Sequence, residues 1–165
     1  MTVTARHITE EQVWDALREV MDPEIPVLSL VDLHVVRSVE VQENKVKVVI
    51  TPTFSGCPAL DHMKGEIHEK LTELGVEHID VVVNRSLSWS TDLLDDSAKS
   101  KLRSFGVAPP PTRQENLSIT LSLPVECPFC GSSHTNLESP FGPTLCKQIF
   151  YCDNCRQSFE RFKPL

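Results

Sequence analysis

The sequence predicts an α+β fold, a small sheet with helices in the order α-β-β-α-β-α, followed by a C-terminal zinc ribbon. Three observations carry this reading. Apolar residues recur at helical spacing in separate segments, β-branched runs lie between them, and two Cys-x2-Cys pairs stand near the end. At 165 residues the chain matches one ordinary domain plus a small appendage, and 40% hydrophobic against 24% charged residues is enough apolar material for a packed core.

Thr9 with Gln12 three residues later forms a capping box, and Val13, Leu17, Val20 and Met21 follow at helical spacing, predicting a first helix from about Glu10 to Met21. Pro23 and Pro26 end it, and residues 27–32 are expected to be irregular or extended. Val35–Val41 and Val46–Thr51 read as a hairpin across the polar residues 42–45. Leu60, Met63, Ile67, Leu71 and Leu74 make the clearest amphipathic helix, with Pro58 in its first turn and Gly75 as its stop. His78–Asn84 is a third strand, and a third helix is expected from about Asp92 to Ser104, closed by Gly106. Pro109, Pro110 and Pro111 begin a stiff spacer, so the domains are expected at residues 1–108 and 117–165 with a linker at 109–116. Leu117–Leu123 alternates as a strand leading into the ribbon.

The net charge of −7 resides in residues 1–120, which hold twelve basic and nineteen acidic side chains, whereas residues 121–165 hold four of each. An acidic surface repels phosphate backbones, which argues against nucleic acid as a partner. No stretch approaches the roughly 18 apolar residues that span a bilayer, and residues 1–11 lack a signal-peptide core, so a cytoplasmic protein with no membrane partner is expected. Six cysteines in that compartment point to metal or thiol chemistry in preference to disulfides.

Cys127, Cys130, Cys152 and Cys155 form two knuckles with 21 residues between Cys130 and Cys152. Two such pairs direct four thiolates at one tetrahedral zinc, and four protein ligands leave no open position for water or substrate, which predicts a structural site. Iron in a rubredoxin-like site would use the same spacing. Cys146, six residues before Cys152, is either an alternative ligand or a small buried hydrophobe. Phe141, Leu145, Ile149, Phe150, Tyr151, Phe159 and Phe162 provide either the ribbon's own core or an exposed patch for docking another protein.

Thr51-Pro-Thr-Phe-Ser-Gly-Cys57-Pro58 reads as a strand ending in a tight turn that delivers Cys57 to a helix N-terminus, where amide donors and the helix dipole stabilise a thiolate. The alternative is a buried structural cysteine. His62 is the nearest candidate base for a thiol enzyme, while His7, His34, His68, His78 and His134 show no metal-ligand spacing. Asp22, Glu24 and Asp32 put three carboxylates in one irregular segment, able to act as acid, base or hard ligand, or simply to cap turns.

Asp22-Pro-Glu-Ile-Pro, Leu30-Val-Asp-Leu33 and Thr53-Phe-Ser-Gly-Cys57-Pro58 occur in an order that resembles the MIP18 family (DUF59), over roughly residues 9–108. Cys127-Pro-Phe-Cys130-Gly-Ser, Ser139-Pro-Phe-Gly142, Thr144-Leu-Cys146-Lys147 and Phe159-Glu-Arg-Phe-Lys163 are similar to the ribbon of the D-component family of the phenylacetyl-CoA epoxidase system, and Trp89 and Lys101–Gly106 fit it as well. The resemblance implies a non-enzymatic accessory role in phenylacetate degradation: maturation or iron-sulfur assembly of the oxygenase or its reductase. It makes Cys57 the motif cysteine and Asp22 and Glu24 the acidic motif. It implies a transient iron-sulfur cluster beside the structural zinc, with further thiolates from a homo-oligomer or a client, since a cluster usually takes four. His34 departs from the family, standing where a glycine of an Asp-Leu-Gly turn is expected; if that position needs positive φ, His34 strains the loop. Competing readings are a stoichiometric structural or regulatory subunit, a Cys57 thiol enzyme assisted by His62, and a nucleic-acid-binding ribbon.

Overall fold

The computed structural model describes residues 7–43, 45–111 and 123–165. It is an α+β protein that divides into two compact units, one from Met1–Pro52 and Pro58–Ser88, the other from Thr53–Cys57 and Trp89–Leu165.

In the first unit, α1 spans Glu10–Leu17 and starts on the expected capping box: Thr9 Oγ1 accepts from the Gln12 amide (3.3 Å) and Gln12 Oε1 accepts from the Thr9 amide (3.0 Å). The helix ends four residues earlier than the periodicity of Val20 and Met21 suggests. The reason is non-local: Val20 O accepts from the Leu30 amide and the Asp22 amide donates to Leu28 O, both at 2.9 Å, so this backbone is committed to a Met21–Ser29 bridge. The intervening loop is anchored by Ile25, Leu28, Leu30 and Leu33, all buried.

Strand β1 (Val36–Gln42) pairs antiparallel with β2 (Lys45–Ile50), and β2 pairs parallel with β3 (His78–Val83), giving the order β1-β2-β3. A parallel pair needs a crossover, which α2 (Leu60–Leu74) supplies. Its buried stripe is Leu60, Met63, Ile67 and Leu71, with Leu74 only half-buried, and Gly75 stops it at φ 97°, a left-handed conformation that a Cβ disfavours. Pro58 lies outside the helix, whose N-cap is Ala59. Packing of α2 on α1 and β3 closes a core that includes Val13, Leu17, Val46, Val48 and Ile50.

In the second unit the expected third helix is divided. A 3₁₀ turn at Thr91–Leu93 follows Ser90, then Asp95 caps α3 (Asp96–Phe105) by accepting from the Ala98 amide at 2.7 Å. Strand β4 (Val107–Ala108), unforeseen in the sequence, pairs parallel with β7 (Ser158–Phe162); β6 (Lys147–Cys152) and β5 (Thr135–Ser139) complete a sheet of order β4-β7-β6-β5. The strand expected at Leu117–Leu123 falls on residues 117–122, outside the described residues. Phe150, Phe159, Cys127, Cys152 and Ala108 form the core around the knuckles, and Trp89 packs on Phe162 at 5.8 Å between ring centroids. Among the described residues, no helix is long and apolar enough to cross a membrane.

Candidate metal centre and acidic loop

The two knuckles repeat one backbone design. In the first, the Cys127 amide donates to Ser132 O (2.9 Å) and the Gly131 amide to Cys127 O (2.9 Å); in the second, the Cys152 amide donates to Gln157 O (3.0 Å) and the Arg156 amide to Cys152 O (2.8 Å). The residue after the second cysteine turns left-handed in both, at Gly131 (φ 73°) and Arg156 (φ 58°). Glycine adopts this freely, whereas arginine meets Cβ strain there.

This geometry brings four sulfurs within 4.8 Å of one another. Cys127 and Cys155 Sγ are 3.7 Å apart, and Cys130 and Cys152 Sγ 3.6 Å. Four sulfurs about 2.3 Å from a single ion at tetrahedral angles stand about 3.8 Å from each other, so the donor set fits one thiolate-bound metal. Both spacings are far longer than an S–S bond, so these four residues are thiols and not disulfides.

Thiolates gathered this closely need compensating donors. Amides of Phe129 and Cys130 donate to Cys127, the Ser132 amide to Cys130, and the Gln157 amide to Cys155. The Asn154 side-chain amide, 3.5 Å from Cys130 Sγ, is the main cause holding the Cys130 thiol down to about 6. Removal from water pushes the Cys155 thiol up to about 12 and raises that of Cys127. Cys130 is exposed, Cys127 and Cys152 are buried, and Cys155 is intermediate.

Cys146 lies outside the four-sulfur group, buried just before β6 with its Sγ 3.2 Å from Thr144 Oγ1. The aromatic residues divide. Phe150, Phe159 and Phe162 are buried, Ile149 and Tyr151 half-buried, but Phe141 is 74% and Leu145 47% exposed. Phe141 is held by Ser139, whose Oγ accepts from the Phe141 amide (3.1 Å) and donates to Phe141 O (2.8 Å). Lys163 Nζ sits 5.5 Å over the Phe141 ring and donates to Leu145 O at 3.0 Å. These contacts present an apolar patch with one cation on an ordered loop.

Cys57 is half-buried, three residues before α2, in a turn closed by its amide donating to Phe54 O at 3.0 Å. It therefore stands ahead of the helix's first turn instead of within it. His62 is exposed on α2 with its Nε2 3.7 Å from Glu66 Oε1. Asp22 is buried, and its Oδ1 accepts from the amides of Glu24 (2.9 Å) and Ile25 (2.7 Å). Asp32 and Ser29 exchange reciprocal side-chain-to-amide bonds, each 3.0 Å. Asp22 and Asp32 thus build the loop's two turns. His34 follows at φ 52°, a left-handed position that strains a residue with a Cβ.

Sequence reasoning missed Asn154 and the strained Arg156. The signal was present in part, because aligning the two copies of Cys-x2-Cys-x places Arg156 against Gly131.

Comparison with known proteins agrees with this architecture. Residues 10–83 match the family described as iron-sulfur cluster assembly protein, and residues 111–163 match the PaaD zinc beta ribbon domain. A protein of Escherichia coli (strain K12), named as the D component of a "Putative 1,2-phenylacetyl-CoA epoxidase", is 41% identical over 92% of this chain and 91% of its own length. An "Fe-S protein maturation auxiliary factor" of Porphyromonas gingivalis is 32% identical over 57% of this chain and 90% of its own length. The crystal structure of a DUF59 domain from Bacillus anthracis, 29% identical, covers 56% of this chain and 90% of its own with a TM-score of 0.53. An iron-sulfur assembly domain and a PaaD ribbon are thus joined along nearly the whole length shared with the Escherichia coli relative, and the chain belongs to the D-component family of the phenylacetyl-CoA epoxidase system.

Proposed function

We propose that this protein is an accessory factor of a phenylacetyl-CoA epoxidase system that assists assembly of an iron-sulfur or other metal centre in the oxygenase or its reductase. The observation that carries the reading is the union, in one chain, of an iron-sulfur assembly domain with an epoxidase-type ribbon. In this reading the protein performs no turnover on phenylacetyl-CoA. Cys127, Cys130, Cys152 and Cys155 hold a structural zinc, because four thiolates close the coordination shell. When bound, that ion supplies folding free energy to a module whose own core is small.

Cys57 is the transient thiolate of the assembly domain, and Asp22 with Glu24 shapes the loop that carries the family's acidic motif. One cysteine cannot hold a cluster, so a second copy of the chain or the client completes the ligand set. The exposed Phe141 and Leu145 make the ribbon a docking module for that client.

The test combines metal analysis with cluster loading. Wild-type protein is expected to contain one zinc per chain and to be colourless, and Cys57→Ser is expected to keep that zinc while leaving the oxygenase or reductase poorly loaded with its cluster in cells. Full loading with Cys57→Ser would remove the thiolate role. A second reading, a component that stays in the finished oxygenase, is favoured by the relative's name as part of the epoxidase. Stoichiometric co-purification with active oxygenase would select it.

A further inference from the structure

The two knuckles share a backbone but differ at their third position, which is Phe129 in the first and Asn154 in the second. Phe129 has no side-chain hydrogen-bond donor, whereas Asn154 Nδ2 reaches across to the opposite knuckle and stands 3.5 Å from Cys130 Sγ. The turn carrying Asn154 is itself fixed to the neighbouring strand. The Asp153 amide donates to His134 O (3.0 Å), and Asn136 Nδ2 donates to Asp153 Oδ2 (2.6 Å). Cys130 is at the same time the exposed corner of the four-sulfur group, while Cys127 and Cys152 are buried.

A metal held by four thiolates keeps excess negative charge on its sulfurs, and a sulfur open to water is where a competing ligand can enter. An N–H aimed at that sulfur takes up part of its charge and restrains its movement. Resting on the reading of the four cysteines as a metal centre, we propose that Asn154 is a positioning residue that holds the metal–Cys130 bond closed and thereby sets how fast the ribbon releases its metal. The asymmetry gives the site one opening corner and one latch.

The experiment uses the full chain loaded with zinc, mixed with an excess of a chromogenic chelator, and compares wild type with Asn154→Ala and Asn154→Asp. Release is expected to be about tenfold faster in both variants, since loss of outer-shell partners commonly costs 10–100-fold in affinity and this one is exposed. Asp is nearly isosteric but offers no N–H. With cobalt in place of zinc, the sulfur-to-cobalt charge-transfer band is expected to move to lower energy in both variants, because the Cys130 sulfur becomes more electron-rich. Equal release rates, or an unshifted cobalt band, would overturn the role of Asn154. A wild-type chain that binds neither zinc nor cobalt would instead overturn the metal centre itself and the latch with it.

Discussion

His34 and Arg156 both stand at positive φ without being glycine, at 52° and 58°. Left-handed backbone costs an L-residue about 1–2 kcal/mol, and glycine's extra unfolded-state freedom returns about 0.5–1 kcal/mol of that on substitution. His34→Gly and Arg156→Gly are therefore each expected to raise stability by about 0.5–1 kcal/mol, a gain of roughly 1–4 °C in Tm for a chain of this size. Thermal melting of the zinc-loaded protein checks both, and an unchanged or lowered Tm would show that the side chains repay their strain. Gly142 is constrained differently: a Cβ there would lie 2.9 Å from Lys147 O, so it marks close approach of two backbone segments. At this scale the cysteines were legible because ligand spacing is local. The strain at Arg156 was not, since nothing in Cys-Arg-Gln announces a left-handed turn until the two knuckles are aligned.

The elements divide by what holds them. Sheet β1-β2-β3 rests on a core of branched aliphatics with α1 and α2 packed on it, so its packing is expected to be independent of the cysteine group. The ribbon strands β5, β6 and β7 enclose a cluster in which Cys127 and Cys152 are themselves core residues beside Phe150 and Phe159. Structural zinc contributes apparent free energies of about 10–16 kcal/mol to small modules, more than so small a core supplies. Chelation is therefore expected to abolish hydrogen-exchange protection of the β5–β7 amides while the β1–β3 amides keep theirs, as read by NMR. Protected ribbon amides after complete metal removal would refute this dependence. Arg161, fully buried in β7, carries two opposed effects: its guanidinium lies 5.2 Å from the Phe150 ring centroid, an attractive cation–π contact, while removal from water disfavours its charge and lowers its pKa to about 10.

At the scale of the whole molecule, the proposed accessory role requires a surface that binds a partner protein. Phe141 is the most exposed of the large hydrophobic residues described, and its loop is ordered by Ser139 and by the Gly142 amide donating to Lys147 O at 3.0 Å. A loop whose backbone is already hydrogen-bonded in place loses less entropy on docking than an unrestrained one. Phe141→Ala is expected to weaken binding to the purified oxygenase or reductase at least about tenfold, with zinc content and Tm unchanged. Titration calorimetry would measure it, and undiminished affinity would move the docking surface elsewhere.

Much of this was written locally in the chain. The Thr9 capping box, the Leu60–Leu71 stripe, the stops at Gly75 and Gly106 and the paired cysteines each depend on residues within a turn or two, so the sequence by itself determined the α+β class and the four-sulfur group. Tertiary structure decided what distant backbone groups settle. It ended α1 at Leu17 by drawing Val20 and Asp22 into pairing with Leu30 and Leu28, and it gave β7 an edge partner in Val107 and Ala108. It also left Phe141 outside the ribbon core and set Asn154 against a sulfur 24 residues away in the chain. Hydrogen bonds and burial between residues far apart in sequence depend on the chain's path, and periodicity and spacing carry no record of that path.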